Sequence, residues 1–287
     1  MLSVLFALAT AAANALAVTA QHIASTSRRG LSFWHLVAHL VRHPLWWLGW
    51  GGMAASLVGQ ALALHFGPLS LVQPLLVSEL VIALILRRTW LRQSIRPSAW
   101  ASALLTVFAL TSFLVLAAPH APAIATPSAL RWITASGAGT LAAVTLGIIG
   151  RRGSPRRRAA LFASATAIVW AIEAAFIKAT TDVIAASGYR GLFVHWPIYA
   201  LIIMGIAGLF SEQTTLHVGP LQVSQPLLVI VDPLASVIAG VWLYHERLAT
   251  SVPRAPLAAV AFVLMAIGVI ILSRTAPATM EPSERRD

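Results

Sequence analysis

Nine long apolar segments, separated by short arginine-bearing connections, constrain this chain more than any other feature of its sequence. They cover approximately 2–22, 45–65, 67–86, 98–118, 130–149, 160–181, 195–217, 219–243 and 256–273. A bilayer core about 30 Å thick is crossed by about 20 apolar residues in a helix. Charged residues make up 10% of the chain. A soluble domain carries about 25%, so there are too few here to coat a fold in water. The chain therefore reads as an all-α polytopic membrane protein. Nine transmembrane helices form one domain over residues 1–276, followed by a disordered cytoplasmic tail at 277–287. Residues 31–44 are too short and too basic to span, and suit an amphipathic helix lying in the interface. Leu2–Ala20 has the apolar core of a secretory signal, but no lysine or arginine precedes Arg28. It reads as a retained span.

The net charge of +11 would suggest nucleic acid in a soluble protein. Here the arginines sit in runs between apolar stretches, where they face anionic lipid instead, so no nucleic-acid partner is expected. With the N-terminus outside, fifteen arginines fall in inner connections and the tail, among them Arg28, Arg42, Arg87, Arg88, Arg151, Arg152 and Arg156 to Arg158. Only Arg131, Arg190, Arg247 and Arg254 fall outside. This bias predicts a multi-pass plasma-membrane (inner-membrane) protein with an outer N-terminus and a cytoplasmic C-terminus. The absence of cysteine removes disulfides, thiol nucleophiles and thiolate metal sites. No Walker-type phosphate loop occurs, and no cofactor is expected.

One segment of the chain repeats. Residues 65–77 read His-Phe-Gly-Pro-Leu-Ser-Leu-Val-Gln-Pro-Leu-Leu-Val, and residues 217–229 read His-Val-Gly-Pro-Leu-Gln-Val-Ser-Gln-Pro-Leu-Leu-Val. Nine of thirteen positions agree at an offset of 152, including the histidine, the glycine, both prolines and the glutamine. The offset maps the third segment onto the eighth. An odd number of crossings separates them, so the copies cross the membrane in opposite directions. This is an inverted-topology repeat of four, one and four helices: repeat one at 1–118, a linking helix at 130–149 and repeat two at 160–273.

The Gly-Pro-Leu and Gln-Pro-Leu helix starts, together with the closing Tyr244-His245-Glu246-Arg247-Leu248, resemble the drug/metabolite transporter (EamA-like) superfamily. Nine helices, an outer N-terminus and Ala118-Pro119-His120-Ala121-Pro122 are most similar to its NIPA-type magnesium transporter branch. The first half carries Arg88-Thr89-Trp90-Leu91 where the second ends in Glu-Arg-Leu. The resemblance implies transport of a small solute or cation.

Four of the nine acidic residues fall within the apolar segments: Glu79, Glu173, Glu212 and Asp232. A charge near the bilayer centre costs about 3 kcal/mol, so such residues usually face a cavity or a partner. Glu79, Glu173 and Asp232 lie near mid-depth, and Glu212 lies nearer a helix end. At the repeat offset Gln21 maps to Glu173, Gln60 to Glu212 and Gln73 to Gln225. These eight residues are the expected substrate or ion pathway, and Glu79, Glu173 and Asp232 are the candidate metal ligands. Pro74, Pro226 and Pro233 are expected to break their helices and free carbonyls along the pathway. Lys178, about 140° around a helix from Glu173, is expected to reach out to the interface. Glu246 and Arg247 suggest a helix-end ion pair. His65 and His217 read as turn residues. His35, His39 and His43 share a helical face, but adjoin the interfacial Trp34, Trp46 and Trp47. Gly49, Gly52, Ser56, Gly137, Gly205 and Gly208 are expected to allow close helix packing.

The expected function is secondary transport across the plasma membrane by alternating access. The cargo is a small solute or a cation such as magnesium, or alternatively a small metabolite exported against protons. An intramembrane lipid or acyl transferase would need a nucleophile, a base and an oxyanion site together. No Ser-His or His-Asp constellation lies at mid-depth, so the chain does not read as an enzyme.

Overall fold

A computed structural model describes residues 1–26, 44–92, 94–120, 127–218, 220–249, 251 and 253–275. They fold into α1 (Leu2–Thr26), α2 (Pro44–Phe66), α3 (Leu69–Leu76), α4 (Ser78–Thr89), α5 (Pro97–Ala117), α6 (Ala129–Gly150), α7 (Pro155–Gly191), α8 (Pro197–Val218), α9 (Leu221–Tyr244) and α10 (Arg254–Thr275). The expected interfacial helix with its three histidines, and the tail, lie outside the described residues.

Among the described residues, eight segments are long and apolar enough to cross a membrane, with α3 and α4 forming one of them. The ninth expected segment, α2, forms its helix but falls outside this set of eight. That helix has 23 residues, but its tryptophans, its glycines and Gln60 dilute the apolar run. It still packs closely along α1. Phe108 is 70% exposed, Leu141 68% and Phe210 73%. Such surfaces aggregate in water, but in a bilayer they meet lipid. The chain is an all-α, multi-pass membrane protein.

Small residues set the interior. In α1, Ala7, Ala11, Ala15 and Thr19 recur every fourth position and are buried. In α7, Ala159, Ala163, Ala167 and Ala171 do the same, and each lies 152 residues after its α1 counterpart. Residues four apart lie on one face, and alanines let backbones approach where apolar burial alone gives no drive between helices. Ala7 packs in the cluster of Leu69 and Val72 on α3. Ala163 and Ala167 pack with Leu228 on α9. Helices α5 and α10 pair lengthwise, with Phe113 edge-on to Phe262 at 5.5 Å.

Hydrogen bonds between helix ends fix directions. The α3 amides of Leu69 and Ser70 donate to Glu246, just beyond the end of α9. His120 and Arg247 exchange backbone hydrogen bonds at 2.9 Å, and the Ala249 amide donates to the Ala117 carbonyl at 2.7 Å. The ends of α5 and α9 and the start of α3 thus share one face of the protein. Since α4 leads to the far end of α5, the α3–α4 rod runs against α9.

Proline acts unequally in these two rods. After Pro74 the chain tightens: the Val77 amide donates to the Pro74 carbonyl at 3.1 Å, and α4 restarts at Ser78. Pro226 and Pro233 do not break α9, which is helical from Leu221 to Tyr244. This corrects the expectation for those two residues, since a proline that removes one amide can be absorbed as a bend. Pro68 and Pro220 occupy matching cap positions before α3 and α9, each in extended conformation. Helix α7 is longer than its apolar segment because Ser154 caps it, Pro155 opens it, and regular geometry continues to Gly188, at φ +66°.

Candidate functional site: a chain of intramembrane acids

Each expected acid sits on a different helix. Glu79 is in the first turn of α4, directly after the Pro74 break, and its Oε2 accepts from Asn14 Nδ2 of α1 at 2.7 Å. Glu173, half-buried on α7, faces α8 where Gly205 and Gly208 leave room. A Cβ on Gly208 would stand 3.1 Å from Glu173 Oε2, and one on Gly205 would stand 3.4 Å from Oε1. Trp170 flanks the same glycine. Asp232 on α9 accepts from Ser236 Oγ at 3.2 Å.

Glu212 on α8 joins the set. It lies within electrostatic reach of both Glu79 and Glu173, and Glu173 in turn acts on Asp232. Glu212 was expected to be the peripheral acid, yet with Glu173 it is an inner member of the series Glu79, Glu212, Glu173, Asp232. Next to it, Thr166 Oγ1 shares hydrogen bonds with Ser211 at 2.5 Å and Thr215 at 2.9 Å. Thr166 corresponds to Asn14 at the repeat offset. The acids form a string and not a knot. Among the described residues, no three histidine or acidic side chains converge closely enough to hold a metal ion.

The glutamines divide. Gln73 on α3 is 2% exposed, and its Nε2 has no hydrogen-bond partner among the described residues. Its repeat counterpart Gln225 is exposed. Gln21 donates to Met53 Sδ at 3.1 Å and leans on Gly49, so it serves the α1–α2 contact. Gln60 is half-buried on α2. Of the small residues, Gly49 and Gly52 hold α1 and α2 close. Gly205 and Gly208 instead admit a carboxylate, and Gly137 has nothing within 4 Å of a Cβ position, which corrects its expected packing role.

A second polar group, around the α2–α3 turn, overturns two expectations. Lys178 does not reach out to the interface. It is buried, and its Nζ donates to the carbonyls of Leu64 at 2.8 Å and Gly67 at 3.1 Å, over the Tyr244 ring at 5.4 Å. The last carbonyls of α2 need donors, and an ammonium suits the negative helix end. Glu246, also buried, accepts from the Leu69 amide at 2.5 Å, the Ser70 amide at 2.8 Å and Ser70 Oγ at 2.6 Å. It does this instead of pairing with Arg247, because Pro68 at the cap position has no side chain to accept those amides. A Cβ at Gly240 would collide with Glu246 Oε2, so this glycine makes room for the carboxylate. Tyr244 Oη donates to the Ala175 carbonyl at 2.7 Å. Asp182 lies within electrostatic reach of Lys178 and His65. His65 and His217 both sit in the last turn of their helices, as expected.

Over its whole length the chain is similar to an uncharacterized protein of Corynebacterium glutamicum. The two are 28% identical over 290 residues, which cover 100% of this chain and 99% of that protein. No family model matches the chain. No solved structure matches it.

Sequence reasoning did not single out Asn14, Asp182, Ser236 or the Thr166 cluster. Asn14 carried a signal, since an amide inside an apolar helix seeks a partner. The role of Glu246 could not be read, because its partners lie 176 and 177 residues away.

Proposed function

We propose that this protein is a secondary transporter that moves a small solute across the membrane by alternating access, coupled to protons or a cation handled by the intramembrane acids. The observation that carries this reading is the series Glu79, Glu212, Glu173, Asp232, contributed by α4, α8, α7 and α9 at membrane depth. Intramembrane acids are costly, and carboxyl groups both bind cations and carry protons. The matched alanine stripes of α1 and α7, and the opposed run of α3–α4 and α9, support a two-fold inverted repeat, which supplies two exchangeable faces. In that reading α2 is a ninth crossing, and the resemblance to the drug/metabolite transporter superfamily points the same way. The stringing-out of the acids favours proton-coupled movement of a solute over a resident divalent-ion cage. A hard cation such as magnesium remains a cargo that oxygen ligands suit.

The test is flux in reconstituted vesicles across a panel of divalent cations, amines and amino acids, with and without a pH gradient. The Glu79→Gln, Glu173→Gln, Asp232→Asn triple variant should lower flux by about a hundredfold, the equivalent of about 2.7 kcal/mol. An amide costs less than a charge in the membrane, so the variant should fold. Undiminished flux with unchanged ion and pH dependence would remove the acids from the mechanism.

A further inference from the structure

We propose that Lys178 and Glu246 form a one-sided latch that holds the face bearing the N-terminus closed, and that transport requires its release; this rests on the alternating-access reading. The α2–α3 turn is gripped from both directions. Lys178 of α7 holds the carbonyls of Leu64 and Gly67 that lead into it. Glu246, beyond α9, holds the amides of Leu69 and Ser70 that lead out of it. Both grips are charge-assisted, and each carries the sign that its helix end attracts. The turn also rests on α1, where a Cβ on Gly67 would meet Ser3. A movement of α3 away from α9 must break all three Glu246 bonds, and a movement of the turn away from α7 must break those of Lys178.

The repeat identifies which side is shut. At the offset of 152, Lys178 corresponds to the uncharged Thr26, and the stretch around the end of α4 that answers to Glu246, Ser94 by offset or Arg88-Thr89-Trp90-Leu91 by motif, holds no carboxylate. The turn between α8 and α9 therefore has no equivalent ionic grip from those positions. Burial follows the same asymmetry. Gln73, behind the latched turn, is 2% exposed, whereas its counterpart Gln225 is exposed. With an outer N-terminus, as the arginine bias requires, the structure is closed outside and open inside. Two conformations of near-equal energy are repopulated by any contact made in only one of them.

The chain lacks cysteine, so single reporters can read both faces. Gln73→Cys sacrifices no Nε2 hydrogen bond, and Gln225→Cys lies on the open side. Each is treated with a membrane-impermeant maleimide, in intact cells and in inside-out vesicles. With the latch intact, Gln73→Cys should resist the reagent in intact cells and Gln225→Cys should react in inside-out vesicles. Adding Glu246→Gln should raise outer labelling of Gln73→Cys by about tenfold, and Ser70→Ala, which removes one of three donors, by about threefold. Ser70→Ala keeps the test readable if Glu246→Gln does not reach the membrane. No rise in either background overturns the latch. A rise at Gln73→Cys without a matching fall at Gln225→Cys supports the latch but overturns the two-state reading beneath it.

Discussion

Glu173 lies against α8 where Gly208 lacks a side chain that would crowd its carboxylate. A Cβ on Gly208 comes within 3.1 Å of its carboxylate, whereas one on Gly137 meets nothing. Gly208→Val should therefore lower transport by about tenfold or more, the equivalent of about 1.4 kcal/mol in binding. Gly137→Val should leave vesicle flux close to the original. Equal effects from the two substitutions would mean that the Glu173 pocket is not used. Glu212→Gln should reduce flux about as much as Glu173→Gln, because each lies within electrostatic reach of two other acids. A charge in an apolar run is visible in the sequence, which is why all four acids were legible there. Their order was not, since it depends on which helix faces are turned together. Nor could the two glycines be told apart, because residue type carries no information about what stands opposite.

At the scale of elements, helix ends were legible because prolines and glycines mark them. Nearly every expected segment agrees with a helix to within a few residues. The exception has a local cause: the capped, alanine-rich extension of α7. The alanine stripe was present in the sequence as a four-residue repeat, but spacing alone did not say which face was buried. Ala163 and Ala167 lie against Leu228 of α9, so Ala163→Leu should overpack that contact and destabilise the protein by about 1–3 kcal/mol. Thermal unfolding in detergent should register a lower midpoint. An unchanged midpoint would mean that α7 and α9 are loosely packed. The chain tightens after Pro74 and Glu79 falls in the first turn of α4, whereas α9 is helical through both of its prolines. Pro74→Ala should join α3 to α4, raise the thermal midpoint and slow transport. Faster transport would argue that the break has no role in moving Glu79.

For the whole molecule, orientation is the property most open to a direct check. Ser154 caps α7 on the face assigned to the cytoplasm, and is exposed. Ser154→Cys should be silent to an impermeant reagent in intact cells and should react in inside-out vesicles. Labelling from outside would invert the whole assignment. The arginine distribution predicts this orientation, and one thirteen-residue match predicts the opposed repeat. It could not reveal that the two halves differ in how their turns are held, because that depends on Lys178 and Glu246 meeting a turn more than a hundred residues away in the chain. The grip of Glu246 on the start of α3 has a kinetic corollary. A contact made in one orientation cannot alter how far a gradient drives accumulation. It alters where an empty carrier waits, and a ligand arriving at the rarer orientation binds with an apparent affinity reduced by that orientation's population. Half-saturating concentrations measured from the two sides of the membrane should therefore differ, with the weaker value outside. Loosening the Glu246 contact should bring the two values together while leaving the final solute ratio untouched.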